Sequence, residues 1–538
     1  MTAPAAEIRK TSYRSYPLLA LFLFLSASLS LLWSHSRLLW NDEFLSFYTD
    51  RVATFREVIL VQLHHPISLD PPTYHLLSHL SMDLIGHNAM ALRLPALAGF
   101  LLFQLSLFYF VRRIAGDRSA IIAMAVPVLT ASFRYSVEGR PYGLLLGLYA
   151  LSLLCWQVAT QYDDSPTGTL RPSRILPLIG LSLSIALAIT SHYFGILILI
   201  PVCLGELSRI LVRKRFDFGV LTSLALGLAS VGLILPFQHA LMAYRQHYYI
   251  KGVNIHDISQ GYRELFIRYT TWPLSLQQFA AVIMIVLVVA LALAAYQRFE
   301  RRSPTEHIYT WIALISMALL PLFGYLFGRF VTHTMEVRYV VAALIAFAAT
   351  FGIVLERRLR SNTFYYASVA LIIIAALAIN LRSIVQERHD AKATLDSLTL
   401  SPALRSQLAA NPGARIYEQD LENFFLDSFY VLDPNVRSRI TLLYDADREV
   451  LLLKHDTNAI TDTNLQHFTS LPIVSYKQVK LSPGPHLLVL FRGGWNWINP
   501  ALIQDHASFT PLGNALHGQA VSVQWPQPGR KIEQNMAH

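Results

Sequence analysis

Eleven stretches of this chain are long and apolar enough to cross a bilayer, and their repetition limits the fold more than any other feature. A helix needs about 20 apolar residues to cross roughly 30 Å of hydrocarbon. The stretches fall near residues 17–34, 91–111, 119–133, 142–160, 175–191, 193–211, 218–237, 276–296, 308–328, 338–355 and 363–380, the third and fifth being short. With 54% hydrophobic and 14% charged residues, the chain holds more apolar surface than a soluble fold of its size can bury. The same figures exclude a disordered, collagen-like or disulfide-stapled protein. A cleaved signal peptide is the rival reading of residues 1–34, but that run leads into Trp33, His35 and Trp40 with no small-residue cleavage site.

The net charge of +10 does not point to nucleic acid, because the basic residues form short runs between apolar segments and no continuous stripe. With the N-terminus cytoplasmic, Arg112, Arg113 and Arg118, then Arg209, Arg213, Lys214 and Arg215, then Arg357, Arg358 and Arg360 all fall on the inner side. This orientation puts everything after residue 381 on the outer side, periplasmic or extracellular. Cys155 and Cys203 both lie within apolar runs and offer no disulfide or zinc spacing.

The composition turns soluble after the last span, which divides the chain into a transmembrane part, 1–380, and an extracytoplasmic part, 381–538. Residues 394–412 read as a helix stopped by Asn411-Pro412-Gly413. ARIYEQD, RITLLYD, PIVSYKQV and HLLVLFR read as strands, and LENFFLDSFYV and TDTNLQHFTSL as helices between them. Alternating strands and helices predict a small C-terminal α/β domain. The last forty or so residues carry no assignable pattern.

Ionisable residues at span ends are costly unless they pair or act. Asp42 and Glu43 follow the first span, where one carboxylate can take a proton from an attacking hydroxyl while the other orients it. The rival is a helix cap by Asn41 or Asp42. Next come His64, His65, Asp70, Pro71, Pro72, Tyr74 and His75. A divalent metal at His64, His65 and Asp70 stays open, against polar loop packing, because the spacing fits no familiar metal motif. Tyr135-Ser136-Val137-Glu138-Gly139-Arg140-Pro141-Tyr142 ends the third span. Arg140 suits a phosphate, and a Glu138–Arg140 ion pair is the structural alternative. Arg93, His192, Tyr193, Arg338 and Tyr339 also sit at outer span ends.

Taken in order, Asp42-Glu43, Pro-Pro-x-Tyr, Arg93-Leu94-Pro95, Tyr-Ser-x-Glu-x-Arg-x-Tyr, His192-Tyr193 and Arg338-Tyr339 resemble bacterial membrane glycosyltransferases of the GT-C superfamily. The nearest branch holds protein O-mannosyltransferases, of the dolichyl-phosphate-mannose-protein type, and the lipid A aminoarabinose transferase. The resemblance covers residues 30–200 best and is only architectural in the tail.

It implies an inverting hexosyl or pentosyl transferase that takes its sugar from a polyprenyl phosphate on the non-cytoplasmic face. The acceptor would be a lipid, a polysaccharide or a protein, and membrane lipids would be its surroundings. The resemblance puts the general base on Asp42 beside Glu43. It puts donor contacts on Arg140 or Arg338, with Asp70, Tyr74, Arg93, Glu138, Tyr142, His192, Tyr193 and Tyr339 lining the site. One departure stands out: before the paired prolines relatives often carry His or Lys, whereas Asp70 here would repel phosphate unless a cation intervenes. Rival functions are a lipid or glycan transporter or flippase and a non-catalytic envelope assembly protein. Transporters usually place charges at the bilayer midplane, which these spans nearly lack.

Overall fold

The computed structural model describes residues 15–161, 172–244, 247, 249, 252–266, 308–358, 361–491, 493 and 495–526. Among them, seven helices are long and apolar enough to span a membrane: Ser15–Ser36, Ala89–Ala115, Tyr142–Gln161, Ser173–Ser191, Tyr193–Arg213, Phe218–Ala243 and Asn362–Ser397. An eighth span is a pair, Ile308–Ala318 and Leu320–Thr332, bent by 55°. Two expected spans are shorter than a bilayer requires. The 119–133 stretch forms a helix only over Asp117–Leu129, with Pro127 in its last turn and a 3₁₀ segment, Ala131–Ser136, after it. The 338–355 stretch begins as a 3₁₀ turn, Val337–Val340, before the helix Ala343–Arg358. The 276–296 stretch lies outside the described residues.

The chain divides into two compact units. The first comprises residues 1–35, 70–235 and 250–384; the second comprises 36–69, 236–249 and 385–538.

The first unit is the helical membrane part. Its helices Ala89–Ala115 and Tyr142–Gln161 touch backbone to backbone: a Cβ on Gly99 would sit 2.2 Å from Leu144 Cα, and one on Gly147 would sit 2.3 Å from Gly99 O. Without a hydrophobic drive inside lipid, such small-residue contacts hold helices together. Arg93, 1% exposed, donates to Ser34 O at 2.8 Å and ties the first span to the second. At the other end of the bundle the buried charges are matched. Arg209 holds Glu206 at 2.7 Å, Trp156 Nε1 donates to Glu206 at 3.0 Å, and Arg174 and Arg209 both engage Asp217. Paired and hydrogen-bonded in this way, such charges are tolerated at depth.

The second unit contains the α/β fold. Its six-stranded sheet has the order β3-β2-β1-β4-β6-β5, with β1 Ile416–Glu418, β2 Ile440–Tyr444, β3 Ile473–Ser475, β4 His486–Leu490, β5 Ser508–Ala515 and β6 Gly518–Gln524. The first four strands are parallel, and β6 and β5 add antiparallel at one edge. All four expected strands are present, the third only over Ile473–Ser475 because Tyr476–Leu481 is helical, and so are both connecting helices, Leu421–Tyr430 and Thr457–Phe468. Two further features depart from expectation. The 394–412 helix is two: Asn362–Ser397 ends, and Ser401 caps a new helix, Pro402–Ala410. The unassigned tail supplies the β5–β6 hairpin, turning at Leu516 and His517, both in the left-handed region (φ 47° and 64°).

A set of carboxyl groups lies buried in this unit. Burial, and then the charge of Asp427, hold Glu418 well above the usual carboxylate range, and burial does the same to Asp462. Glu449, 1% exposed, is pushed up to about 8 by burial and by the Asp456 and Asp445 charges, against a hydrogen bond from the Ala459 amide at 3.0 Å. A group whose folded pKa exceeds its unfolded value contributes stability that is full below the unfolded pKa and is lost as pH rises through the folded one. The Glu449 contribution is therefore present near pH 4.5 and lost by about pH 8. Hydrogen exchange of peptides spanning β2 in the full chain, corrected for intrinsic rates, should show protection falling from pH 5.5 to pH 8.5. Glu449→Gln, neutral at every pH, should flatten part of that slope; an unchanged slope would assign it to the other buried carboxyls.

Candidate active site

The first unit brings together seven of the expected residues, Asp70 and six around its carboxylate. Pro71 is extended (φ −63°, ψ 162°) and Pro72 opens the helix Pro72–Ile85, so Asp70 is held at the mouth of a rigid element. Thr73 donates to Thr190 at 2.7 Å, which ties that mouth to the end of the helix Pro172–Ser191. Asp70 Oδ2 lies 2.7 Å from Arg140 Nη2, and Asp70 Oδ1 lies 3.7 Å from His192 Nε2. All three residues are buried. The Glu138-Gly139-Arg140 corner is closed by the Arg140 amide donating to Glu138 O at 2.7 Å.

Aromatic rings form a platform at the cluster. Tyr142 stacks on Tyr339 at 6.2 Å, His192 lies 4.6 Å from Tyr339 and 5.7 Å from Tyr142, and Arg338 sits over Tyr142 at 5.6 Å. The buried hydroxyls of Tyr142, Tyr193 and Ser191 have no hydrogen-bond partner among the described residues. Buried polar atoms without partners are uncommon in native structures and mark a place where a polar ligand fits. Two guanidinium groups, an aromatic floor and unused hydroxyls make a site suited to a phosphate and the sugar attached to it.

Three expected contributors make contacts outside this cluster. Arg93 donates to Ser34 O, and Tyr74 donates to Leu92 O at 3.0 Å. Glu138 faces Arg134 at 3.7 Å, and Arg140 takes Asp70 in place of Glu138. The cation that Asp70 needs beside a phosphate is thus Arg140. Among the described residues no three His, Cys, Asp or Glu side chains are grouped to hold a metal ion. His65 stacks on His467 at 4.0 Å, and His64 and His65 line a cavity of about 460 Å³ with Glu57, Leu60, Val61 and Phe468.

The second unit carries the paired carboxylates. Asn41, Asp42 and Glu43 are the first three residues of the helix Asn41–Asp50, whose cap position is Trp40 with no side-chain cap bond. The capping reading of Asn41 or Asp42 is therefore wrong. Glu43 is fully buried and Asp42 half-buried. Aromatic contacts fix this helix on the helix Leu421–Tyr430: Phe44 stacks on Phe425 at 5.2 Å and meets Phe429 at 5.7 Å, and Tyr48 stacks on Phe425 at 5.2 Å. The Leu39 amide donates to Tyr430 Oη at 2.9 Å. One residue escaped the sequence reading. Glu422 accepts from the Asn41 amide and faces Asp42, and burial followed by the Asp420 charge raises its carboxyl. Its only local signal is an acidic residue in the first turn of a helix, which most helices share.

A family model for dolichyl-phosphate-mannose-protein mannosyltransferase matches residues 69–235. No curated protein matches the chain in sequence. The apo structure of ArnT from Cupriavidus metallidurans superposes with a TM-score of 0.59 at 14% identity, covering 96% of this chain and 100% of that one. ArnT bound to undecaprenyl phosphate gives 0.56 at 13%, with the same coverage. At such identity the likeness is one of fold. The matched segment contains Asp70, Arg140, Tyr142, His192 and Tyr193; over that segment the chain resembles the mannosyltransferase family, and over nearly its whole length it shares the fold of ArnT.

Proposed function

We propose that the chain transfers a hexosyl or pentosyl group, with inversion, from a polyprenyl-phosphate carrier to an acceptor hydroxyl at the non-cytoplasmic face. The observation that carries this reading is the buried Asp70–Arg140–His192 cluster with Arg338, Tyr142 and Tyr339 beside it, set at the ends of membrane helices. ArnT in its solved complex holds undecaprenyl phosphate, which supports a lipid phosphate as the ligand here. The basic inner loops support an N-terminus in the cytoplasm and residues 381–538 outside.

The chemistry needs no nucleotide. The acceptor oxygen forms a bond to the anomeric carbon while the carbon–oxygen bond to phosphate breaks, and that electron pair leaves with the phosphate. The acceptor proton goes to Asp42, with Glu43 holding the carboxylate or the acceptor. The phosphate gains a negative charge as it departs, and fixed guanidinium groups stabilise that change in a site shielded from water. Positioning supplies much of the remaining rate.

The test is transfer of radiolabelled sugar from polyprenyl phosphate by membranes containing the chain, with mass spectrometry of envelope glycans from cells with and without it. Label reaching a lipid, polysaccharide or protein acceptor only when the chain is present is the expected result. Movement of lipid or glycan across the membrane without any new glycosidic bond would replace this reading with a transporter.

A further inference from the structure

The imidazole of His192 is fixed in one protonation state by the backbone next to it. His192 is the cap of the 3₁₀ segment Tyr193–Ile198, and the Phe194 amide donates to its Nδ1 at 3.1 Å. A nitrogen that accepts a hydrogen bond carries no proton, so the remaining proton of neutral imidazole is on Nε2. Nε2 is the atom that faces Asp70 Oδ1 at 3.7 Å, while Asp70 Oδ2 holds Arg140. The other groups facing the ring are Arg140, Arg338, Tyr142 and Tyr339. Two of these are cations that oppose a further positive charge. Burial, against the Asp70 charge, pushes the imidazole down to about 4.

Resting on the donor site proposed above, we infer that His192 is a positioning residue that acts as a fixed, uncharged N–H donor to Asp70, and that Asp70 in turn aims the Arg140 guanidinium at the donor phosphate. A carboxylate braced less firmly on its Oδ1 side turns more freely, carrying the guanidinium with it. Held on both oxygens, it presents the fork in one orientation, which is what planar recognition of phosphate requires. At 3.7 Å the pair is in electrostatic contact and beyond hydrogen-bond length, and the inference places formation of the hydrogen bond itself in the donor-bound state, where such contacts tighten. Histidine in this role contributes no charge to phosphate binding.

The two nitrogens of His192 separate this role from a structural one. Asn at 192 reproduces the Nδ1 side, an oxygen that caps the Phe194 amide, and lacks the Nε2 arm. Gln reproduces the Nε2 arm with an N–H donor. The experiment measures binding of undecaprenyl phosphate to the purified full chain in nanodiscs from pH 5.5 to 8.5. It compares the wild type with Arg140→Lys, His192→Ala, His192→Asn and His192→Gln, with thermal unfolding of each variant alongside.

The inference expects His192→Ala to weaken binding about tenfold or more, the size of one lost hydrogen bond to a charged group. It expects His192→Gln to recover most of that loss and His192→Asn to recover none, although Asn restores the unfolding temperature. The ratio of wild-type to His192→Gln affinity should stay constant with pH, which removes the lipid phosphate's own titration from the comparison. Rescue by Asn and not Gln would make His192 a cap and overturn the inference. A ratio that rises below pH 6.5 would overturn it too, since His192 would then be acting as a cation. Arg140→Lys binding as tightly as wild type refutes the donor site itself, a result distinct from either failure of His192.

Discussion

Asp42→Asn should lower turnover by about 10²–10⁴-fold, the usual size of general-base help, while the protein stays folded and its affinity for the lipid donor is kept. The fold is expected to survive for three structural reasons. Asp42 is the second residue of its helix, whose cap position is Trp40, so the cap residue itself is untouched. The helix is held by Phe44 and Tyr48 against Phe425 and Phe429, contacts that the substitution leaves alone. The Glu422 carboxylate beside Asp42 is relieved of a like charge, which offsets the few tenths of a kcal/mol lost from the favourable helix-end interaction. A drop in turnover with the unfolding temperature unchanged therefore reports chemistry. Single-turnover kinetics with a labelled polyprenyl-phosphate sugar, together with donor binding, provide the check. Near-normal turnover would remove Asp42 from the mechanism. Glu43→Gln should then be tested as the base, its carboxyl being fully buried on the same turn.

The membrane architecture and the order of the site motifs were legible because both are local. Apolar runs report spans, and Pro71-Pro72 marks where a helix can open. Partners across the chain were not legible. Asp70 reads as hostile to phosphate until Arg140, seventy positions away by number, is seen to hold it, and no local pattern announces that pair. Glu138 lies nearer to Arg140 in sequence, yet it faces Arg134 one helical turn back. Tyr74 and Arg93 carry the residue types of a binding site, and their hydrogen bonds to Leu92 and Ser34 were not readable from the sequence. Breaks within spans were not legible from length and hydropathy: Pro127 and the 3₁₀ turns at 131–136 and 337–340 interrupt stretches that are apolar enough. The β5–β6 hairpin was missed because its turn uses Leu516 and His517 in the left-handed conformation, in place of the Asn-Gly or Asp-Gly pair that advertises such turns. The docking of Phe44 on Phe425 joins positions almost four hundred residues apart. A sequence shows that both segments are aromatic, but not that they meet.

Arg140→Lys should raise the dissociation constant for a polyprenyl-phosphate donor by about 10–100-fold and lower turnover as well. The charge survives, so simple attraction to phosphate is kept, but the planar fork is lost. A guanidinium presents five N–H donors in fixed directions, enough to hold Asp70 and a phosphate together, whereas an ammonium is a point charge that a single carboxylate can monopolise. The substitution therefore removes a charge-assisted hydrogen bond pair on the ligand side, worth about 1.5–3 kcal/mol for each bond lost. Turnover falls because the same contact strengthens as the leaving phosphate takes on its second charge. Arg140→Ala is the poorer test, since it strands Asp70 as a buried uncompensated charge and costs about 3–5 kcal/mol of stability. Arg140→Ala combined with Asp70→Asn removes both charges and avoids that cost, so the double variant should fold and bind donor no better than Arg140→Lys. Titration of detergent-purified protein with undecaprenyl phosphate checks both variants. Unchanged affinity in both would move the phosphate contact to Arg338, the other guanidinium of the cluster, already seated over the Tyr142 ring.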